Sequence, residues 1–126
     1  MNGLRVLLLG ALVPLVATAG ARVGTLVHQA PPRARAVSNP LDGQERAQRA
    51  GAKLFARECA ACHGQDGKGM GKAPRLNQAD VHDASPGALF WVLRNGSLKR
   101  GMPSFAHLPE PQRWQIIVYL KSLKAH

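Results

Sequence analysis

An all-α domain is the fold this sequence predicts, on three observations. Apolar residues recur at helical spacing in three separate stretches, strand signals are weak throughout, and the chain's only two cysteines fall in Cys59-Ala60-Ala61-Cys62-His63, directly after the first of those stretches. At 126 residues the chain has room for one domain plus a leader.

The N-terminal stretch reads as a leader. Arg5 supplies a short positive region, Val6 to Val16 form an apolar run interrupted by Pro14, and Ala17-Thr18-Ala19 has the small residues of a secretory cleavage site. Residues 1–19 are therefore expected to be a signal peptide, with Gly20 starting the mature chain. The competing reading is an uncleaved membrane anchor extending to about residue 27, because apolar character resumes at Val23 to Val27 and could approach the roughly 20 residues a span needs; Pro14 and Arg22 count against it. Residues 20–40, with Pro31, Pro32, Arg33 and Arg35 and almost no apolar periodicity, read as an extended linker, and 41–126 as the folded domain.

The first domain helix is expected over residues 43–57. Asp42 and Glu45 have capping-box spacing, and Ala47, Ala50, Gly51, Leu54 and Phe55 share one face. The second is expected over 86–95, with Ser85 as N-cap, Pro86 in the first turn and Gly96 just past the end; Leu89, Phe90 and Leu93 face inward. The last begins after Pro109-Glu110-Pro111. Its Trp114, Ile116, Ile117, Val118, Tyr119, Leu120 and Leu123 make an apolar surface too wide for a lone exposed helix, so it must pack on something large and flat.

C-x-x-C-H is the spacing at which haem is attached covalently. Each thiol can add to one haem vinyl group, and the histidine after the second cysteine can bind the iron. Three other readings fit less well. A dithiol redox site calls for a βαβ pattern that is missing, a structural zinc site needs two more ligands at matching spacing that His28, His82, His107 and His126 do not provide, and a plain disulfide explains nothing about His63. One covalent haem c with its iron is thus the expected cofactor, and it would give helices of a small domain an apolar plate to cover. The second axial position decides between electron transfer and chemistry on a bound molecule. Met70 lies only seven residues after His63, too near to cross to the opposite face. Met102, in Gly101-Met102-Pro103, is 39 residues away in a loop that Pro103 stiffens. His82 and His107 flank turns and read as surface residues.

Sixteen Lys and Arg against seven Asp and Glu leave the chain at +9 from Gly20 onward. Nothing resembling a nucleic-acid-binding pattern accompanies that charge, so an acidic protein surface or an anionic membrane is the expected counterpart. Lys68 and Lys72 follow the cysteines, while Arg94, Lys99 and Arg100 precede Met102, so a basic docking ring for an acidic redox partner is expected.

Over about residues 40 to 124 the chain resembles a small bacterial class I cytochrome c. Gly51-x-x-x-Phe55-x-x-x-Cys59 is similar to the family's first-helix pattern, Cys59 to His63 to its attachment site, and Gly101-Met102-Pro103 to its axial methionine loop. Trp114, Ile116 and Tyr119 resemble the last-helix residues that cross the first helix. Gly64, Gly67, Phe90-Trp91 and Asn95-Gly96 are typical of the bacterial branch. The resemblance implies a cytochrome c fold of three main helices plus loops around one haem. It implies that the Pro74 carbonyl holds the His63 ring, that Leu76 packs on the haem, and that His63 and Met102 are the metal ligands. The implied function is that of a one-electron carrier without a catalytic residue or a small-molecule substrate at the iron, in a periplasmic respiratory or dehydrogenase-linked chain, soluble or anchored to the inner membrane. It would act as a monomer or within a complex. Two alternatives stand beside it: a subunit of a dehydrogenase or terminal oxidase complex, and a haem enzyme or gas- and peroxide-binding domain with a labile sixth ligand.

Overall fold

The computed structural model describes residues 23–124; the expected leader and cleavage site lie outside them. Among the described residues the regular structure is helical apart from one isolated bridge: α1 (Val23–Val27), α2 (Pro32–Arg35), α3 (Glu45–Glu58), α4 (Ala60–His63), α5 (Ala79–His82), α6 (Pro86–Asn95), a 3-10 turn (Leu98–Arg100) and α7 (Glu110–Ser122).

The frame is the crossing of α3 and α7. Helix α3 buries Ala47, Gly51, Leu54 and Phe55, the stripe its sequence spacing predicts. Gly51 sits where the two backbones touch, since a Cβ there would come within 1.9 Å of the Gln115 carbonyl oxygen. The broad apolar surface of α7 is accounted for by two neighbours, α3 on one side and α6 on another. Ile116 and Ile117 are fully buried, and each contributes about 1.5–3 kcal/mol by leaving water. Phe55 meets Tyr119 at 5.2 Å between ring centroids, and Phe90 of α6 stacks on Trp114 at 4.0 Å.

Helix α6 has the predicted ends. The Ser85 hydroxyl accepts from the Ala88 amide, Pro86 opens the first turn, and Gly96 terminates the helix with φ +63°, close against the Pro103 backbone. Helix α3 starts differently from expectation. Gln44 is its N-cap and makes no side-chain cap bond, so the Asp42/Glu45 capping box does not form. Asn39 organises this entry instead: its Oδ1 accepts from the Leu41 amide while its Nδ2 donates to the Trp114 carbonyl across 75 residues. Burial makes both bonds count, because an unpaired amide here would cost about 1–3 kcal/mol.

The described part of the stretch read as an extended linker is folded onto the domain. Val23, Leu26, Val27 and Ala30 are buried in the same core as α6 and α7. Helix α1 packs on α5 and α6, and α2 packs on α6. Gly87 lets α2 approach α6, for a Cβ at that position would lie 1.9 Å from the Ala34 carbonyl oxygen. The linker reading failed because each helix here is a single turn, too short for periodicity to register. Of the segment that the anchor reading includes, Val23, Leu26 and Val27 are buried in the core. No helix among the described residues is long and apolar enough to cross a membrane.

Candidate functional site

Helix α3 ends at Glu58, and Cys59 closes it with its amide bonded to the Phe55 carbonyl. One further turn, α4, carries Cys62 and His63. Cys59 faces the interior while Cys62 is exposed. Residues 64–76 then fold back under α4: the Gly69 amide donates to the His63 carbonyl at 2.7 Å and the Leu76 amide to the Gly67 carbonyl at 2.7 Å. This return brings Pro74 to the histidine, whose Nδ1 lies 2.9 Å from the Pro74 carbonyl oxygen. A carbonyl only accepts, so Nδ1 is the donor in this contact and Nε2 is the ring nitrogen left for another partner.

Met102 arrives from the other side of the sequence. After α6 and the 3-10 turn, Ser97 and Met102 exchange both backbone hydrogen bonds, Ser97 donating at 2.8 Å and Met102 at 3.0 Å. The methionine is thereby fixed in a one-rung ladder and half-buried, whereas Met70 is 58 % exposed.

All six residues singled out from the sequence, Cys59, Cys62, His63, Pro74, Leu76 and Met102, line one cavity of about 480 Å³. Its volume falls in the range of small-molecule and cofactor sites, about 300–1,000 Å³. The walls are mostly apolar, built by α3, α6, α7 and the two loops, with Glu58, Lys72 and Arg100 as the charged side chains. The donor set fits a haem c: two thiols for the vinyl groups, an imidazole nitrogen with a free lone pair, a thioether opposite in the chain, and an apolar interior for the macrocycle. It does not fit a dithiol redox centre. Burial, reinforced by Glu58 and Cys62, pushes the Cys59 thiol up to about 12, where such a centre needs a lowered value.

Sequence reasoning missed part of the wall. Val23 and Leu26 of α1 line the cavity, as do Val81 and Phe105. Val23, Leu26 and Val27 share one helix face, but within a single turn that spacing carries no signal of its own. Met70 also reaches the cavity, from its exposed loop. His82 and His107 do not line it; His107 is exposed as expected, but His82 is half-buried, beneath the Lys121 ammonium that binds its carbonyl.

The fold is similar to those of several solved c-type cytochromes. Cytochrome cL of the marine methylotrophic bacterium Methylophaga aminisulfidivorans MPT superposes with a TM-score of 0.61 at 23% identity, over 69% of this chain and 59% of that one. The c-type cytochrome XoxG of Methylobacterium extorquens AM1 gives 0.55 at 27% identity, over 63% and 51%. Cytochrome cL of Hyphomicrobium denitrificans gives 0.58 at 18% identity, over 79% and 66%. The chain thus spans between half and two thirds of the length of these three relatives. Residues 46–120 match the family described as cytochrome c oxidase, cbb3-type, subunit III, which takes in α3, the cysteine motif, the Met102 loop and nearly all of α7. The chain belongs to this family, and Cys59 and Cys62 are the two cysteines through which it holds haem c covalently.

Proposed function

We propose that the protein is a one-electron carrier whose haem iron is held between His63 Nε2 and Met102 Sδ, working on the periplasmic side of the inner membrane in a respiratory or dehydrogenase-linked chain. The observation that carries this reading is the convergence of His63 and Met102, from loops far apart in sequence, on one apolar cavity. A haem iron with both axial positions filled exchanges one electron between ferrous and ferric states without taking a substrate. The chain's residues hold that arrangement still. Pro74 fixes the imidazole's tautomer and orientation, the Ser97–Met102 ladder holds the thioether loop, Leu76 and the α6 and α7 side chains exclude water, and the two thioether links keep the ring from leaving.

The rim favours an acidic partner. Lys68, Lys72, Arg94, Lys99 and Arg100 are all exposed on the two loops or beside them, with Met70 and the 83 % exposed Leu98 as apolar contacts among them. Asp66 offsets part of this charge through its 3.4 Å pair with Lys68. A small, transient contact follows, with an on-rate that falls as salt rises.

Carbon monoxide binding to the ferrous holoprotein tests the ligation. The wild type should bind it slowly, Met102→Ala rapidly and with a lowered reduction potential, and Met70→Ala as the wild type. Rapid binding by the wild type, or an effect of Met70→Ala in place of Met102→Ala, overturns the assignment. Reduction by the natural partner at a rate insensitive to ionic strength overturns the docking surface. A second reading, supported by the family match, is that the same domain works within a terminal oxidase complex; co-purification with oxidase subunits from membranes would support it over a free carrier.

A further inference from the structure

We propose that residues 23–37 are an integral wall of the haem pocket, a strap that both shields the cofactor and holds the methionine loop. The inference rests on the haem occupying the cavity lined by His63 and Met102. The family match starts at residue 46, so it assigns this segment no role.

Three contacts define the strap, and each goes to a different part of the site. First, Val23 and Leu26 line the haem cavity directly and are 8% and 9% exposed. Second, Thr25 Oγ1 accepts a 2.9 Å bond from Arg100 Nη1, two residues before Met102 and itself part of the cavity rim. Third, the Gly24 amide donates to Asp80 Oδ2 at 3.2 Å, which pins α1 against α5. Further along, α2 docks in the notch at Gly87, where the Ala34 and Val37 carbonyl oxygens approach α6 so closely that only a hydrogen fits between. A segment that only connected the domain to something else would need none of these.

The physical roles follow from position. The apolar side chains of Val23 and Leu26 replace water along one side of the cavity, which disfavours the more highly charged ferric state and so raises the potential. The Thr25–Arg100 bond ties the strap to the loop that presents Met102, so releasing the strap loosens the sixth ligand as well. Both act through the pocket and the loop; they are positioning roles.

Gly87→Ala is the decisive variant. Alanine is a better helix residue than glycine, so α6 itself gains, and the nearest atoms the new methyl meets are the Ala34 and Val37 carbonyls of the strap. In the intact holoprotein it should lower the reduction potential, speed carbon monoxide binding to the ferrous form by about tenfold or more, and speed tryptic cleavage at Arg33 and Arg35; one decade corresponds to a modest shift in a local opening equilibrium. Leu26→Ser, which leaves the notch untouched, should move the potential and the binding rate the same way, and Leu26→Met should restore both. The proposal is overturned if strap cleavage accelerates while potential and carbon monoxide binding stay at wild-type values, or if trypsin already cuts the wild-type strap as fast as an unfolded peptide. Failure of the ligation reading has a separate signature, rapid carbon monoxide binding by the wild type itself.

Discussion

Replacing Gly51 by alanine tests the central packing claim, that α3 and α7 touch backbone to backbone. The added methyl would stand 1.9 Å from the Gln115 carbonyl oxygen, 2.6 Å from its carbon and 3.0 Å from Tyr119 Cβ. The first two are main-chain atoms in the middle of a helix, so no rotamer change relieves them. The helices must separate by about 1.5 Å to restore ordinary contact, and the separation is felt where Phe55 meets Tyr119 and where Ile116 and Ile117 fill the interior. Overpacking of a relaxed site costs about 1–3 kcal/mol and this site cannot relax by side chains, so a gross cost of about 3–5 kcal/mol is expected; better helix propensity returns at most about 1 kcal/mol. The net loss, about 2–4 kcal/mol, is a large part of the stability of a small domain. Urea unfolding of the holoprotein, followed by far-UV circular dichroism, should show a lower midpoint with an unchanged slope. A Gly51→Ala protein within about 0.5 kcal/mol of the wild type would refute the close crossing, since alanine could then sit there without displacing anything.

Three further expectations concern side chains outside the cavity. Lys121 donates through Nζ to the carbonyls of His82 and Ala84, which closes the C-terminal end of α5; Lys121→Met should cost about 1–3 kcal/mol in thermal or urea unfolding, and no loss would mean that water serves those carbonyls as well. Arg113 is buried over the Phe90 ring at 4.6 Å, with Nε and Nη1 lacking hydrogen-bond partners among the described residues; Arg113→Met should therefore stay within about 1 kcal/mol of the wild type, and a loss above about 3 kcal/mol would reveal a partner for the guanidinium. Asp66 has its carboxyl held below the ordinary range, chiefly by the Lys68 amide, with desolvation opposing it and the Lys68 ammonium adding to the lowering. A depressed folded value means that its contribution is complete above the ordinary carboxylate range and disappears as pH falls through the lower folded value, so Asp66→Asn should flatten the acid limb of the stability profile; an unchanged limb would place the effect elsewhere.

Local chemistry was legible in the sequence, and long-range chemistry was not. The boundaries of α6 follow from Ser85, Pro86 and Gly96, residues that act within one turn of where they stand. The Cys59 to His63 motif is equally local, and its meaning survives without a fold. The start of α3 was misread because Asn39, not Asp42, organises it, through a bond to Trp114 that lies 75 residues away. Arg113 is buried with its guanidinium over Phe90 of α6, a placement that nothing local on α7 announces. The six expected site residues do share a cavity, yet Pro74 was recognisable through family resemblance alone: nothing about a proline eleven residues after a histidine announces that its carbonyl will meet the ring.

The strap also constrains the order in which the molecule can assemble. Gly24 meets Asp80 across 56 residues and Thr25 meets Arg100 across 75, so residues 23–37 have no platform until α5, α6 and the methionine loop exist. Closing such long loops is entropically costly and comes late. Cys59 and Cys62 are available well before that. The side of the pocket made by Val23 and Leu26 is therefore expected to be among the last to close.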